Sequence, residues 1–434
     1  MRRPPAVFAT AKSAIPMQPL EQVAFYFAMG IGLPATIWSL ASGIPLNSPI
    51  AVLTLAQLSF AAILSWYVID RLRAFAHARL VSYVLPTNLA IFGAILSINA
   101  TLRLDFSFSI FLACAAGTLA ISYLVTTRIS RGIPAMTHYV IPNGNVDGLL
   151  KRPNFIAAKS VSHLEELVAG GQIGGSIIAD LQYDHQPEWE RLFANAALEG
   201  IPVYHYRVIE ETLSGQVRID HLRENEFGSL VPNLPYRYAK RILDICFVVL
   251  LSPLAAPLVG LLALAVKLDS QGSAFFVQER VGYRGNAFKM LKLRTMVERE
   301  LPEGVHAQRD DAMTKAGDIR VTRIGRFLRK TRLDEVPQIW NVLSGEMSLI
   351  GPRPEAKSLA DWYESEIPFY SYRHILRPGI TGWSQVNQGH VTELESIRAR
   401  VRYDFYYIKN LSLWLDIIIA LKTVRVMATG LGAK

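Results

Sequence analysis

The chain has 434 residues, enough for two or three domains. Hydrophobic residues make up 51% and charged residues only 19%, which excludes an ordinary soluble protein and points to an integral membrane protein with soluble parts. The net charge of +9 suits an anionic membrane face or phosphate-bearing substrates; no helix-turn-helix or RNA-binding pattern accompanies it, so no nucleic-acid partner is implied.

No charged residue occurs from Gln22 to Ile69. A single span needs roughly 20 apolar residues, so the run holds two spans, residues 22–44 and 49–69, with Pro45, Asn47, Ser48 and Pro49 as the turn. Further spans follow at 80–100 and 106–127. Arg2, Arg3 and Lys12 precede the first span, Arg71, Arg73 and Arg79 separate the second and third, and Arg128 and Arg131 follow the fourth; the other two connections carry only Arg103. The positive-inside rule therefore puts both ends of this four-helix unit, residues 1–131, in the cytoplasm. No acidic or basic residue interrupts a span, so the expected role is anchoring or homo-oligomerisation rather than an ion pathway. No cleavable signal precedes the first apolar run, so the N-terminus is expected to be retained. Cys114 and Cys246 fall in apolar stretches and imply neither a disulfide nor a metal site.

Residues 132–230 alternate between strand and helix patterns: strands at His138–Ile141, Ser176–Leu181 and Pro202–Val208, and helices at Ser162–Ala169, capped by Ser162, and Glu188–Leu198. This predicts a small parallel α/β module of Rossmann-like type. The turn Pro142-Asn143-Gly144-Asn145 lacks G-x-G-x-x-G spacing, and no Walker A loop is present, so a structural or regulatory module is expected over a nucleotide site. Residues 228–235 read as a linker.

Ile245 to Val266 is another uncharged run, flanked by Arg237, Lys240 and Arg241 before and Lys267 after, and interrupted by Ser252-Pro253 and Pro257. Its length permits an ordinary kinked fifth span. A fifth crossing, however, would separate everything downstream from the cytoplasm. Cations at both ends and the Ser252-Pro253 break favour a re-entrant helix, residues 243–267, that enters and leaves by one face.

Downstream, Ala274–Glu279 reads as a strand, and Phe288–Met296 places cations on an apolar frame that would also suit a solvated edge strand. Leu328–Pro354 holds adjacent carboxylates, Asp334 and Glu335, at the start of a short helix dated by Pro337, with Val336, Ile339, Trp340 and Leu343 as its apolar face. Capping and the helix dipole would account for such a pair by themselves. Arg329, Lys330 and Arg353 flank it. His306, Asp310 and Asp311 could ligate a metal, but their loop, rich in Glu, Arg and Gly, reads as solvated. Leu411–Met427 is amphipathic and suits either a core or an interfacial helix.

Taken in order, the broken apolar helix, FFVQERVG, FKMLKLRTM, LRKTRLDEVPQIWNVLSGEMSLIGPRPE, RPGITGWSQVNQG and YDFYYIKNLSLWLDI resemble the bacterial sugar transferase family, the monotopic phosphoglycosyl transferases, over residues 236–427. Four spans and an α/β module ahead of this core resemble the family's long subgroup. Two positions depart from the family's pattern, Leu293 for the usual Phe and Ser270-Gln271-Gly272-Ser273 for SPGP. The resemblance implies an α+β membrane-associated catalytic domain, residues 236–434, on the cytoplasmic face of the bacterial inner membrane. It implies transfer of a sugar-1-phosphate from a UDP-sugar to undecaprenyl phosphate with release of UMP, as the first membrane step of exopolysaccharide, capsule or O-antigen synthesis. By the same match Asp334 is the nucleophile forming an aspartyl-phosphosugar, Glu335 holds Mg²⁺, and Arg329 and Arg353 lie near phosphates and nucleotide. Lys292, Arg294 and Arg377 are further phosphate-binding candidates, with Lys292 and Arg377 ranked above Lys289 and Lys330, and Asp404 contacts the uracil or ribose side. A processive glycosyltransferase would want a D-x-D motif, and Asp180 and Asp184 are too far apart to supply one. A membrane scaffold without enzymatic activity is the third reading.

Overall fold

The computed structural model describes residues 19–72, 80–132, 137–217, 232–297, 320–388 and 394–429. Arg2, Arg3, Lys12, Arg73 and Arg79, which set the expected orientation, lie outside these residues, as do His306, Asp310, Asp311, residues 228–231 of the expected linker and the side chain of Arg131. The chain divides into two compact units, Met1–Gly215 and Gln216–Lys434.

In the first unit, α1 (Pro19–Phe27), a π-helical turn (Ala28–Gly32) and α2 (Leu33–Ser42) form one apolar rod, followed by α3 (Pro49–Leu72), α4 (Leu80–Leu102) and α5 (Phe108–Gly132). All four rods are long and apolar enough to cross a membrane. Lipid tails give no hydrophobic reason for such helices to associate, so close backbone approach and interhelical hydrogen bonds do that work. Gly117 on α5 packs so tightly on the first rod that a Cβ would lie 2.6 Å from Pro34 Cγ. Gln57 and Asn99 exchange two amide hydrogen bonds, at 2.9 and 3.0 Å, between α3 and α4. Ser65 donates to Asn88 at 3.0 Å between the same helices.

The α/β module follows as β1 (His138–Val140), α6 (Asp147–Leu150), β2 (Phe155–Ala157), α7 (Val161–Ala169), β3 (Ile177–Ala179), α8 (Pro187–Leu198), β4 (Val203–His205) and α9 (Tyr206–Ser214). Its sheet is parallel throughout, in the order β2-β1-β3-β4. Three local expectations change. Ser160, not Ser162, caps α7, accepting from His163 N at 3.2 Å. The strand expected over 202–208 is only three residues long, because burial of Tyr206 and Ile209 on one side draws the following residues into α9. The short strand β2 lacked an alternating pattern and was not expected.

Gly144, after β1, has φ +84°, and a Cβ there would lie 2.6 Å from Asp180 Cβ at the end of β3. Asp180 accepts from Asn145 N at 3.2 Å and from Gln182 N at 3.3 Å. The turn's amide and the crevice between β1 and β3, where open α/β sheets bind ligands, are thus engaged by the chain's own carboxylate. An incoming phosphate would meet that negative charge.

The second unit begins with α10 (Leu234–Asp269), 36 residues of continuous α-helix that includes Ser252, Pro253 and Pro257. Asn233 caps it, accepting from Tyr236 N at 3.2 Å. Proline has no N–H, so Pro253 leaves the Val249 carbonyl without its helical donor. Ser252 Oγ donates to that carbonyl instead, at 2.8 Å. β5 (Phe275–Val281) and β6 (Ala287–Leu293) form an antiparallel hairpin. α11 (Arg323–Thr331), a 3₁₀ turn (Leu333–Gln338) and α12 (Ile339–Ser344) lead to β7 (Ser348–Ile350), which pairs in parallel with β8 (Gly379–Thr381). Between those strands lie α13 (Lys357–Glu366) and a 3₁₀ turn (Tyr370–Ile375); α14 (Trp383–Gln388), α15 (Leu394–Lys409) and α16 (Leu413–Thr429) complete the unit.

Both halves of α10 touch β6. Val248 packs with Phe288, Met290, Val342 and Met347, while Val266 packs with Leu293 and Leu328. Between them Val249, Leu250, Leu254, Leu258, Leu261 and Leu264 are exposed. The C-terminal helix α16 is a core helix, with Leu415, Ile418 and Ile419 buried. Asp416 ties it to α10 through Tyr236 at 2.6 Å and Lys240 at 2.7 Å.

Candidate active site

Asp334 and Glu335 sit on the 3₁₀ turn between α11 and α12 rather than in the first turn of an α-helix. Arg332, with φ +59°, ends α11 and sets the turn's direction. Pro337 fits because a tight 3₁₀ turn asks little of its missing N–H. The expected apolar face also changes. Val342 and Asn341 face the interior, whereas Trp340 is 67% exposed and Leu343 is exposed as well. The offset comes from the 3₁₀ turn, whose three residues per turn shift the helical phase entering α12.

Both carboxylates are buried, yet their surroundings differ. Glu335 Oε1 lies 3.3 Å from Lys292 Nζ, 3.3 Å from Arg353 Nη1 and 3.7 Å from Arg332 Nη1. Burial works against its ionised form, but Lys292, Arg353 and Arg332 outweigh it and hold its pKa down at about 2. Asp334 Oδ1 is buried with no hydrogen-bond partner among the described residues. Burial, reinforced by the charge of Glu335, pushes Asp334 above the usual carboxylate range. Lys292 is drawn down to about 8, mainly by burial. The pair therefore divides into a well-compensated carboxylate and a less stabilised one with an unpartnered oxygen.

The cations on Glu335 are themselves held in place. Asn341 Oδ1 accepts from Leu291 N at 3.0 Å, and its Nδ2 donates to the Lys289 carbonyl at 2.8 Å. One side-chain amide thus fixes α12 to the edge of β6 and aims Lys292 at Glu335. The Arg353 loop rests on two arginines, Arg373 buried and Arg280 half-buried. Arg373 donates to the Arg353 carbonyl at 2.9 Å, and Arg280 donates to the Pro354 carbonyl at 3.0 Å. Glu355 lies under the same loop, 2.7 Å from Arg400 and 3.9 Å from Arg280.

Of the residues singled out in the sequence, Asp334, Glu335, Lys292 and Arg353 come together. Arg329 neighbours Asp334 electrostatically, and its Nε donates to Thr295 Oγ1 at 3.0 Å. Asp404 is 1% exposed, with its two oxygens taken by Arg373 and Ser384 at 2.7 and 2.8 Å, so in this geometry it supports the Arg353 loop from behind. Arg294 binds the Ser270 and Gln271 carbonyls, each at 2.7 Å, and closes the end of α10. Arg377 binds the Gly345 carbonyl at 2.8 Å and shares no contact with Glu335. Ser252 and Pro253 lie in α10 at partly and fully exposed positions. Arg332, Asn341, Arg280, Arg373, Glu355 and Arg400 were missed. Only Glu355, next to the Pro-Arg-Pro loop, carried a local signal; the others depend on neighbours distant in sequence.

Among the described residues no group of three or more His, Cys, Asp or Glu side chains converges on a metal position. Mg²⁺ commonly needs only one or two carboxylates plus substrate phosphates and water. Glu335, beside a second carboxylate at Asp334, fits that mode.

Residues 235–430 match the family model for bacterial sugar transferases. The chain is 39% identical over 386 residues to the UDP-N-acetylgalactosamine-undecaprenyl-phosphate N-acetylgalactosaminephosphotransferase of Aeromonas hydrophila, covering 89% of each protein. It is 46% identical over 205 residues to a UDP-glucose:undecaprenyl-phosphate glucose-1-phosphate transferase of Caulobacter vibrioides, which covers 46% of this chain and 74% of that one. The Escherichia coli enzyme of the same name is 43% identical over 192 residues, covering 43% of this chain and 40% of the relative. The chain belongs to the bacterial sugar transferase family and is an enzyme of that class.

Proposed function

We propose that this protein transfers a sugar-1-phosphate from a UDP-sugar to undecaprenyl phosphate and releases UMP. The observation that carries the reading is the split carboxylate pair, with Glu335 neutralised by three cations and one oxygen of Asp334 left without a hydrogen-bond partner. Asp334 attacks the phosphorus bonded to the sugar oxygen. A new aspartyl O–P bond forms, and the bridging P–O bond breaks with its electrons going to UMP. A phosphate oxygen of the acceptor then attacks the same phosphorus and returns Asp334 as a carboxylate, so no net proton is needed. Arg353 and Lys292 sit where they can meet the diphosphate, and guanidinium suits bidentate contact with phosphate. Mg²⁺, held by Glu335 and the diphosphate, would screen the charge on the leaving nucleotide.

The site sits in the membrane interface of the bacterial inner membrane, on the cytoplasmic face, in this reading. A straight helix of 36 residues would be about 54 Å long, far more than the roughly 30 Å apolar core of a bilayer. Contact of both halves of α10 with β6, and exposure of the apolar stretch between them, support a re-entrant helix bent near Ser252-Pro253. The α/β module serves as a structural element, and the reaction opens a polysaccharide assembly sequence.

The test is nucleotide release from membranes supplied with undecaprenyl phosphate and a panel of donors. UDP-N-acetylgalactosamine and UDP-glucose, the donors named for the relatives, head that panel, followed by UDP-galactose. UMP is the expected product; UDP would overturn the reading, and release of neither would favour a scaffold. Cysteines introduced near residues 270 and 300 should resist periplasmic labelling, and labelling there would refute the re-entrant topology.

A further inference from the structure

Several buried or half-buried arginines of the second unit pair with carboxylates. Arg373 binds Asp404, Arg400 binds Glu355 and Arg353 binds Glu335. Four other arginines gather around Tyr283 and the end of α12 without doing so. Arg237 donates to the Tyr283 hydroxyl at 2.9 Å. The guanidiniums of Arg284 and Arg377 each lie 5.0 Å from the Tyr283 ring centre. Arg241 donates to the Val342 and Leu343 carbonyls at 2.6 and 3.2 Å, beside Arg377 on the Gly345 carbonyl. None of these four forms an ion pair among the described residues.

Arg237, Arg241, Tyr283 and Arg377 line one cavity together with Lys240 and Asp244. Lys240 lies 3.9 Å from Asp244 and 2.7 Å from Asp416, so these three groups carry one net negative charge against the three guanidiniums of the cavity, with Arg284 against the Tyr283 ring adding a fourth outside it. The cavity is therefore cationic. The Tyr283 phenol reports the same field: burial raises its pKa, and Arg284, Arg237 and Arg377 more than reverse that, leaving it below the usual tyrosine value.

The position of the cluster suggests what it binds. Arg237 and Arg241 occupy successive turns at the start of α10, and beyond them Ile242, Leu243, Ile245 and Phe247 are all exposed. Guanidiniums that spend one or two of their five N–H groups on a carbonyl or phenol keep others for an anion, and the exposed apolar side chains begin one residue further on. We infer that Arg237, Arg241, Arg284 and Arg377 with Tyr283 form a site for the phosphate of an anionic lipid, separate from the cations on Glu335. The phosphodiester of an acidic phospholipid and the phosphomonoester of a polyprenyl phosphate share this chemistry.

The test uses the full chain in non-ionic micelles, without any nucleotide sugar, so its result and that of the transfer assay are independent. Fluorescent phosphatidylglycerol should bind saturably. Its affinity should fall about tenfold or more in Arg237→Gln/Arg241→Gln, since each arginine near an anionic surface contributes about 1 kcal/mol. Arg284→Gln, an exposed side chain on the Tyr283–Gly285 turn, should lower it about fivefold with the melting temperature unchanged. Arg398→Gln, an exposed arginine elsewhere, should leave it unchanged. Displacement by undecaprenyl phosphate at lower concentration than by unlabelled phosphatidylglycerol supports the proposal with the polyprenyl lipid as occupant; the reverse order supports it with the phospholipid. Wild-type affinity in both the double variant and Arg284→Gln would overturn the site. Equal displacement by inorganic phosphate would overturn its assignment to a lipid.

Discussion

Arg373 donates to Asp404 at 2.7 Å with both side chains about 1% exposed, and the same arginine holds the Arg353 carbonyl at 2.9 Å. A buried ion pair thus stands behind the loop that carries a cation to Glu335. Removing one member leaves the other charge buried without compensation, which costs about 3–5 kcal/mol. Asp404→Ala is therefore expected to lower the melting temperature sharply and to reduce transfer. The pair Arg373→Met/Asp404→Leu should recover most of the stability by thermal unfolding, yet transfer should stay low because the Arg353 carbonyl has lost its donor. Recovery of full activity in the double variant would show that the loop does not depend on this support.

Asp334→Asn separates function from stability. Transfer should vanish, measured as UMP release, because an amide is not a phosphoryl acceptor under these conditions. Stability should rise. A folded-state pKa above the unfolded value means that the ionised carboxylate destabilises the fold at neutral pH and has no such effect below its unfolded pKa. The variant should melt higher than the parent near neutral pH, with the difference shrinking as pH falls toward the unfolded carboxylate range.

Glu335 has the opposite sign. Its pKa of about 2 lies below the ordinary value of 4.5, so its ion pairs stabilise the fold fully above about pH 4.5, and that contribution is lost as pH falls toward about 2. Glu335→Gln should remove the contribution at neutral pH and leave Lys292 and Arg353 facing each other. Unfolding across a pH series should show parent and variant converging at the acid end. A constant gap would refute the assignment.

Asn341→Leu tests the clamp on β6. It removes two hydrogen bonds to backbone groups at residues 289 and 291, for an expected loss of about 1–3 kcal/mol. Because Lys292 follows directly on that edge, transfer should fall more than stability alone explains. The readout is kcat at a temperature where the variant is fully folded; an unchanged kcat would reduce Asn341 to a packing role.

Much of this architecture is legible in the sequence because local patterns carry it. The uncharged runs from Gln22 to Ile69 and from Ile245 to Val266 demand a lipid environment whatever the fold, since burying a charge there is costly. The alternation over residues 138–205 predicts the parallel α/β module that the sheet shows, and the adjacent Asp334 and Glu335 stand out as a candidate site by charge and by Pro337. Local signals failed where geometry depended on distant partners. His205 ends a strand because Tyr206 and Ile209 are wanted on a helix, and Trp340 faces outward because a 3₁₀ turn shifted the helical phase.

The division of labour between the two carboxylates belongs to the tertiary structure alone. In sequence they are neighbours of the same charge, and any rule based on spacing treats them alike. Folding brings Lys292 from 43 residues upstream and Arg353 from 18 residues downstream to the same oxygen of Glu335, and brings none to Asp334 Oδ1. It also gathers Arg237, Arg284 and Arg377 around one tyrosine, with Arg241 close by, and forms no ion pair to any of the four among the described residues. Composition sets how many charges the chain has, but burial and distance decide which are compensated, because Coulomb energies in a buried site fall off over a few ångströms that only the fold assigns.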